Sequence, residues 1–238
     1  MKKFLSLNHL FSIFAVAAIF AATTAPAQIA AQWTFEGSFA SITGSSPTLS
    51  GLSPEVGTGT ASGVHASTAT WSSPAGNGST HSFSVNTWAV GDYFQFQTST
   101  LGLNNILVSF DQTSSGTGPR DFKLTYSTDG TTFSQFASDY MVLANASPNP
   151  VWNATTASSI YSYSFNLSAV TALNNASAVY FRVVDDSTIS ANGGTVATTG
   201  TDRLDNFTVQ VVPVPEPNIA ALAGFGVLGL ILSRRSRL

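Results

Sequence analysis

The chain contains no cysteine. That excludes a disulfide framework, a thiolate zinc site and a thiol nucleophile together, so stability has to come from a packed core. Charge is nearly as scarce, since only 9% of the 238 residues are Asp, Glu, Lys or Arg. Five of the nine basic residues (Lys2, Lys3, Arg234, Arg235 and Arg237) and one of the twelve acids (Glu216) sit in the end segments. Residues 28–212 are left with Arg120, Lys123, Arg182 and Arg203 against eleven acids, a net charge near −7. Such a surface repels a polyanion, which excludes nucleic acid as a partner.

Signs of catalysis are also thin. The three histidines, His9, His65 and His81, are isolated from one another and show no metal-ligand spacing. No Gly-x-Ser-x-Gly elbow and no phosphate-binding glycine loop ending in Lys-Ser/Thr is present. Between the ends the only glutamates are Glu36 and Glu55. A glycosidase would have to use aspartates, and no spacing singles out a pair. The sequence therefore reads as a non-enzyme, with a divergent hydrolase as the remote alternative.

Both ends carry the marks of targeting. Lys2 and Lys3 precede an apolar segment from Leu10 to Ala22, and Ala25-Pro26-Ala27 offers small residues to a peptidase. This predicts a secretory signal over residues 1–27, cut by signal peptidase after Ala27; a permanent N-terminal anchor is the alternative. At the other end Pro213, Pro215 and Pro217 fix an extended spacer. An apolar run from Ile219 to Leu232 follows, then Arg234, Arg235 and Arg237. A helix over that run is about 21 Å long against a hydrocarbon core of about 30 Å, marginal for a permanent anchor. The arginines would stay on the cytoplasmic side, leaving everything before Pro215 across the membrane.

Pro215-Glu216-Pro217, the Gly/Ala/Leu-rich run and the Arg-Arg ending together resemble the PEP-CTERM sorting signal of Gram-negative bacteria, here over residues 213–238. The resemblance implies recognition by an exosortase, cleavage near Pro-Glu-Pro, transient residence in the inner membrane, and delivery to an exopolysaccharide-rich surface or matrix. An ordinary C-terminal membrane helix is the plainer alternative.

Between the ends, residues 28–212 read as one domain. Trp33-Thr34-Phe35-Glu36 alternates as a short strand, after which Gly37 to Thr80 is mostly loop with one strand at Ala61 to Ala66. Regular alternation begins at Phe83 and Val85 and continues with Phe94 and Phe96. Ile106, Val108 and Phe110 mark one strand, and Phe122, Leu124 and Tyr126 the next. Asp129-Gly130 predicts a hairpin from that strand to another at Thr132 to Ala137. Tyr161, Tyr163 and Phe165 mark a further strand within Ile160 to Leu167, and Ser168 is placed as the cap of a helical turn to Leu173. Val179, Phe181 and Val183, then Phe207, Val209 and Val211, complete the set. Many short strands without a long helix predict an all-β fold: an antiparallel, jelly-roll-like β-sandwich flanked by the signal helix and the C-terminal hydrophobic helix.

Phe35-Glu36-Gly37 and Leu204-Asp205-Asn206-Phe207 resemble the two ends of jelly-roll carbohydrate-binding modules, also described as galactose-binding-like. That resemblance implies adjacent first and last strands with Glu36 and Asp205 helping to hold a structural calcium. The plain alternative is two acids that finish strand ends. Asp111, Arg120, Asp121, Asp185, Asp186, Asp202 and Arg203 gather at strand ends, as an ion- or sugar-binding rim or merely a solvated one. Trp71, Trp88 and Trp152 lie near loops, where an exposed indole would stack on a sugar face and a buried one would be core. The expected function is association with exopolysaccharide outside the cell, with a ligand-free matrix protein as the alternative.

Overall fold

The computed structural model describes residues 26–37 and 42–213. The signal segment, the apolar run and the sorting residues Pro215, Glu216, Pro217, Arg234, Arg235 and Arg237 lie outside the described residues. Among the described residues no helix is long and apolar enough to cross a membrane.

Twelve strands follow in order. They are β1 (Gln28–Trp33), β2 (Gly44–Leu52), β3 (Val56–Gly57), β4 (Gly59–Ser72), β5 (Phe83–Val85) and β6 (Tyr93–Thr98). Then come β7 (Leu103–Ser114), β8 (Asp121–Ser127), β9 (Ser134–Met141), β10 (Ser162–Asn166), β11 (Val179–Asp185) and β12 (Asp202–Pro213). They pair antiparallel in the order β10-β7-β12-β5-β4-β6-β11-β8-β9, with β1 on β12 and β2 on β4.

This continuous sheet folds over into a sandwich. Phe207 of β12 lies face to face with Phe96 of β6, ring centroids 3.6 Å apart, and within 6.4 Å of Phe181 on β11. The ends of the path also meet, for Tyr140 of β9 packs 4.8 Å from Tyr163 of β10. Burying this aromatic stack removes large apolar area from water, the dominant favourable contribution in a chain without cross-links.

Strands with bulky alternating side chains fall where the pattern puts them. Phe94, Phe96, Ile106, Val108, Phe122, Leu124, Phe181, Val183, Phe207 and Val209 are fully buried. Asp129-Gly130 turns β8 into β9: Gly130 takes φ of 74°, and Asp129 Oδ1 accepts the amides of Thr131 and Thr132.

Four local expectations need correction. The first strand ends at Trp33, and Phe35 takes a positive φ of 59° instead of extending it. The segment from Gly37 to Thr80, expected to be loop apart from a strand at Ala61 to Ala66, holds β2, β3 and the fourteen-residue β4, which contains that strand. In β4 the Trp71 ring fills the inward space at Gly63, where a β-carbon would collide with it. Ser168 caps nothing; a single turn at Thr171–Leu173 follows Val170 without a side-chain cap. Finally, the chain from Ser159 to Tyr161 is a 3₁₀ turn, so β10 starts only at Ser162.

Candidate functional site

Pairing of β1 with β12, Trp33 opposite Phe207, brings the two ends of the domain together as the resemblance implied. The segment 73–82 crosses over this junction. Asp205 is fully buried beneath it: Oδ2 accepts the Asn77 amide at 2.9 Å and the Ser79 hydroxyl at 2.6 Å, and Oδ1 accepts the Asn206 amide at 2.8 Å. Burial pushes the carboxyl up to about 6 against the pull of these donors. Glu36, exposed, accepts the His81 amide at 2.6 Å. The two acids thus grip one loop. Oxygens of Asp205, Ser79 and His81 also converge around Gly76, which has no room for a side chain. All are hard oxygen donors of the kind calcium takes, although N–H and O–H groups occupy several of their lone pairs. Among the described residues no three acidic or histidine side chains gather as a metal site.

The tryptophans are core. Trp71, Trp88 and Trp152 are 1%, 7% and 3% exposed, and each indole N–H is spent on a carbonyl: Ser46, Val85 and Ala75 respectively. Their expected role as sugar-stacking platforms is corrected on that ground, because neither ring face is open to a ligand.

The charged rim separates into parts. Arg120 pairs with Asp121 at 2.8 Å, and Lys123 pairs with Asp186. Asp185 and Asp202 are buried, the latter accepting from Gln112 at 3.0 Å and Ser114 at 2.8 Å. Asp92, not singled out in the sequence, lies buried beside His65, its Oδ2 3.3 Å from the ring nitrogen. Burial lowers the His65 pKa more than the Asp92 charge raises it, and Trp71 and Trp88 cover the ring. A neutral imidazole sealed under two indoles is a core group.

Asp111 has a different setting. It stands on the outward face of β7, opposite Ser162 of β10 and Asp205 of β12. Its Oδ1 accepts the Ser162 hydroxyl at 2.5 Å and its Oδ2 the Asn206 amide at 2.9 Å. The ladder between β7 and β12 shifts register between Asp205 and Thr208, and Asn206 takes φ of 53° there, a bulge that turns its amide toward Asp111. Ser109, Phe110, Tyr163, Ser164 and Thr208 complete a groove of about 260 Å³. Hydroxyls, an amide and one carboxylate are the groups that exchange hydrogen bonds with polyols. The sequence signals for this face were the alternation of β10 (Ser162, Ser164, Asn166) and the place of Asp111 at a strand end.

Among curated proteins no sequence matches the chain. Solved structures with similar folds are carbohydrate-binding β-sandwiches and adhesin domains. The K1 cleaved adhesin domain of Lys-gingipain from Porphyromonas gingivalis is 10% identical, covering 77% of this chain and 97% of that one, with a TM-score of 0.39. A carbohydrate-binding module from Cellvibrio mixtus lichenase 5A, in complex with cellotriose, is 13% identical over 79% and 100%, with a TM-score of 0.29. Residues 213–236 match the PEP-CTERM protein-sorting motif, and the chain therefore carries a signal for exosortase-dependent export.

Proposed function

We propose that residues 28–212 form the working domain of an exported protein that associates with exopolysaccharide at the surface or in the matrix of a Gram-negative bacterium, without catalysing a reaction. Signal peptidase removes the leader, the chain resides briefly in the inner membrane, and exosortase acts on the tail. The observation that carries the reading is the groove around Asp111, a cleft with hydroxyl, amide and carboxylate groups on the sheet of a protein that bears an export signal. Sugar hydroxyls would replace water on Asp111, Ser162, Ser164 and Asn206, and such exchanges contribute modestly one by one.

The test is retention of the purified protein on a panel of neutral and acidic polysaccharides. At least one is expected to retain it, and Asp111→Ala is expected to weaken that retention about tenfold, the loss of one to two charge-assisted hydrogen bonds. Asp111 is only half-buried, so Tm should hold. Failure of every polysaccharide to retain the protein overturns this reading in favour of a ligand-free matrix protein.

Calcium at Glu36 and Asp205 belongs to the same reading, supported by the oxygens that converge beneath loop 73–82. Millimolar calcium is then expected to raise Tm by several degrees, through binding to the folded state alone. EGTA should reverse the rise, and Asp205→Asn should abolish it. An unchanged Tm would leave the acids as hydrogen-bonded latches only.

A further inference from the structure

Of the four cations in residues 28–212, three are engaged. Arg120 and Lys123 have their aspartates, and the Arg182 guanidinium lies 4.0 Å from the centre of the Tyr93 ring and 3.6 Å from that of Phe133. Arg203 has no hydrogen bond and no ion pair among the described residues, although it is half-buried. Asp202 attracts it electrostatically, but neighbours on a strand point to opposite faces, and Asp202 is spent inside on Gln112 and Ser114. Half-buried, the guanidinium meets water rather than a protein partner, which leaves its charge and its donors open to a ligand.

Arg203 opens on a second cavity of about 200 Å³, lined with Thr113, Ser114, Ser115, Gly116, Asn145 and Thr201. Its lining contains no carboxylate. Thr113 donates to the Leu143 carbonyl, and the Ser114 hydroxyl lies 2.6 Å from the Pro119 carbonyl and 2.8 Å from Asp202 Oδ2, which commits its one proton. The Ser115 hydroxyl accepts the Thr201 amide and keeps its own proton. Asn145 Oδ1 accepts the Trp152 amide, which leaves its NH₂ unspent. What remains toward the cavity includes the guanidinium, the Asn145 NH₂ and the Ser115 hydroxyl proton, with no carboxylate against them. In a domain of net charge near −7, such a set is not a by-product of overall charge.

We propose that this cavity binds the carboxylate of an acidic sugar, a uronate unit within a polysaccharide. The inference rests on the glycan reading above and names its charge class. A planar carboxylate matches the guanidinium fork with two parallel hydrogen bonds, and the Asn145 amide and Ser115 hydroxyl supply further donors. Placement supports a polymer. Thr113 follows Asp111 by two residues on the same face of β7, and Arg203 pairs with Thr113 across the ladder. The cavity thus continues the face that bears the groove, about 7 Å further along.

Affinity electrophoresis of the purified protein through polygalacturonate, its methyl ester, a neutral galactan and dextran sulfate tests this. Polygalacturonate is expected to bind about tenfold or more tightly than its ester, and raised salt should weaken it. Arg203→Gln should erase that preference, and Arg203→Lys should restore only part, since the charge returns without the fork. Asn145→Asp keeps the acceptor for the Trp152 amide while placing a negative charge in the cavity. It should erase the preference too, and it stands in if Arg203→Gln fails to fold. Equal binding of acid and ester, a preference that survives both substitutions, or dextran sulfate bound as tightly as polygalacturonate would overturn the inference. Retention by galactan with no uronate preference sinks it while sparing the glycan reading; no retention by any polymer sinks both.

Discussion

Phe207→Ala is expected to cost about 3–5 kcal/mol, the range for deleting a buried phenylalanine ring where neighbours relax only partly. Against a total stability of about 5–15 kcal/mol, that puts the fold close to failure. The ring is 0% exposed and touches both layers at once. It lies parallel to Phe96 at 3.6 Å and to Phe110 at 5.7 Å, and meets Trp33 edge-on at 6.0 Å. These rings come from β1, β6, β7 and β12, rigid sheet elements that cannot easily close the gap. Urea unfolding measures the loss. Phe207→Leu should cost less by retaining most of the volume, and Leu101→Ala, at a side chain 61% exposed, should fall within about 0.5 kcal/mol of the parent. A Phe207→Ala protein as stable as the parent would mean that the layers are not held together here.

The second large effect is a loss of stability as pH rises from about 4.5 to 7.5. Burial pushes the carboxyls of Asp185 and Asp205 up from 3.8 to about 7 and about 6, and raises that of Asp202 well above its ordinary value. For Asp185 the cause is direct, since Oδ2 is buried with no hydrogen-bond partner among the described residues. An acid whose pKa is raised by folding contributes fully below its unfolded value, and the contribution disappears as pH climbs through the folded one. Across this range Asp185 and Asp205 together then account for about 5 kcal/mol, or about 13 °C in Tm. His65 opposes them: its lowered pKa makes the fold lose stability as pH falls below 6.5. The carboxyl of Asp121, lowered by its hydrogen bond from Arg120, favours the fold only above the ordinary range. The optimum should therefore lie between about pH 4 and 5. Thermal unfolding in chelator across this range is the measurement, and Asp185→Asn should flatten the slope by about half. A profile that is flat, or that rises toward neutral pH, would contradict the burial argument.

Alternation of large and polar side chains is a local property of the chain, and where it was present, in β6, β8, β11 and β12, it located the strands. In β4 it found only Ala61 to Ala66. Ala61, Gly63 and Ala69 are small inward residues, and at Gly63 the Trp71 ring from elsewhere on the strand occupies the space, which no local pattern reports. The tryptophans show the same limit from the other side. An indole near a loop reads alike whether that loop leaves it bare or covers it, and here 73–82 and 142–161 cover Trp152.

The amino-acid sequence by itself carried the export signal, since a sorting tail is read as a linear segment, and it determined the fold class, since period-two patterning needs no knowledge of neighbours. Only tertiary structure decided which acids are latched, which are buried and which face a groove, because strand order and loop crossing fix those environments. Arg203 is the sharpest instance. In the sequence it is an arginine beside an aspartate; in the sheet the two point apart, which leaves its guanidinium facing a cavity lined without a carboxylate.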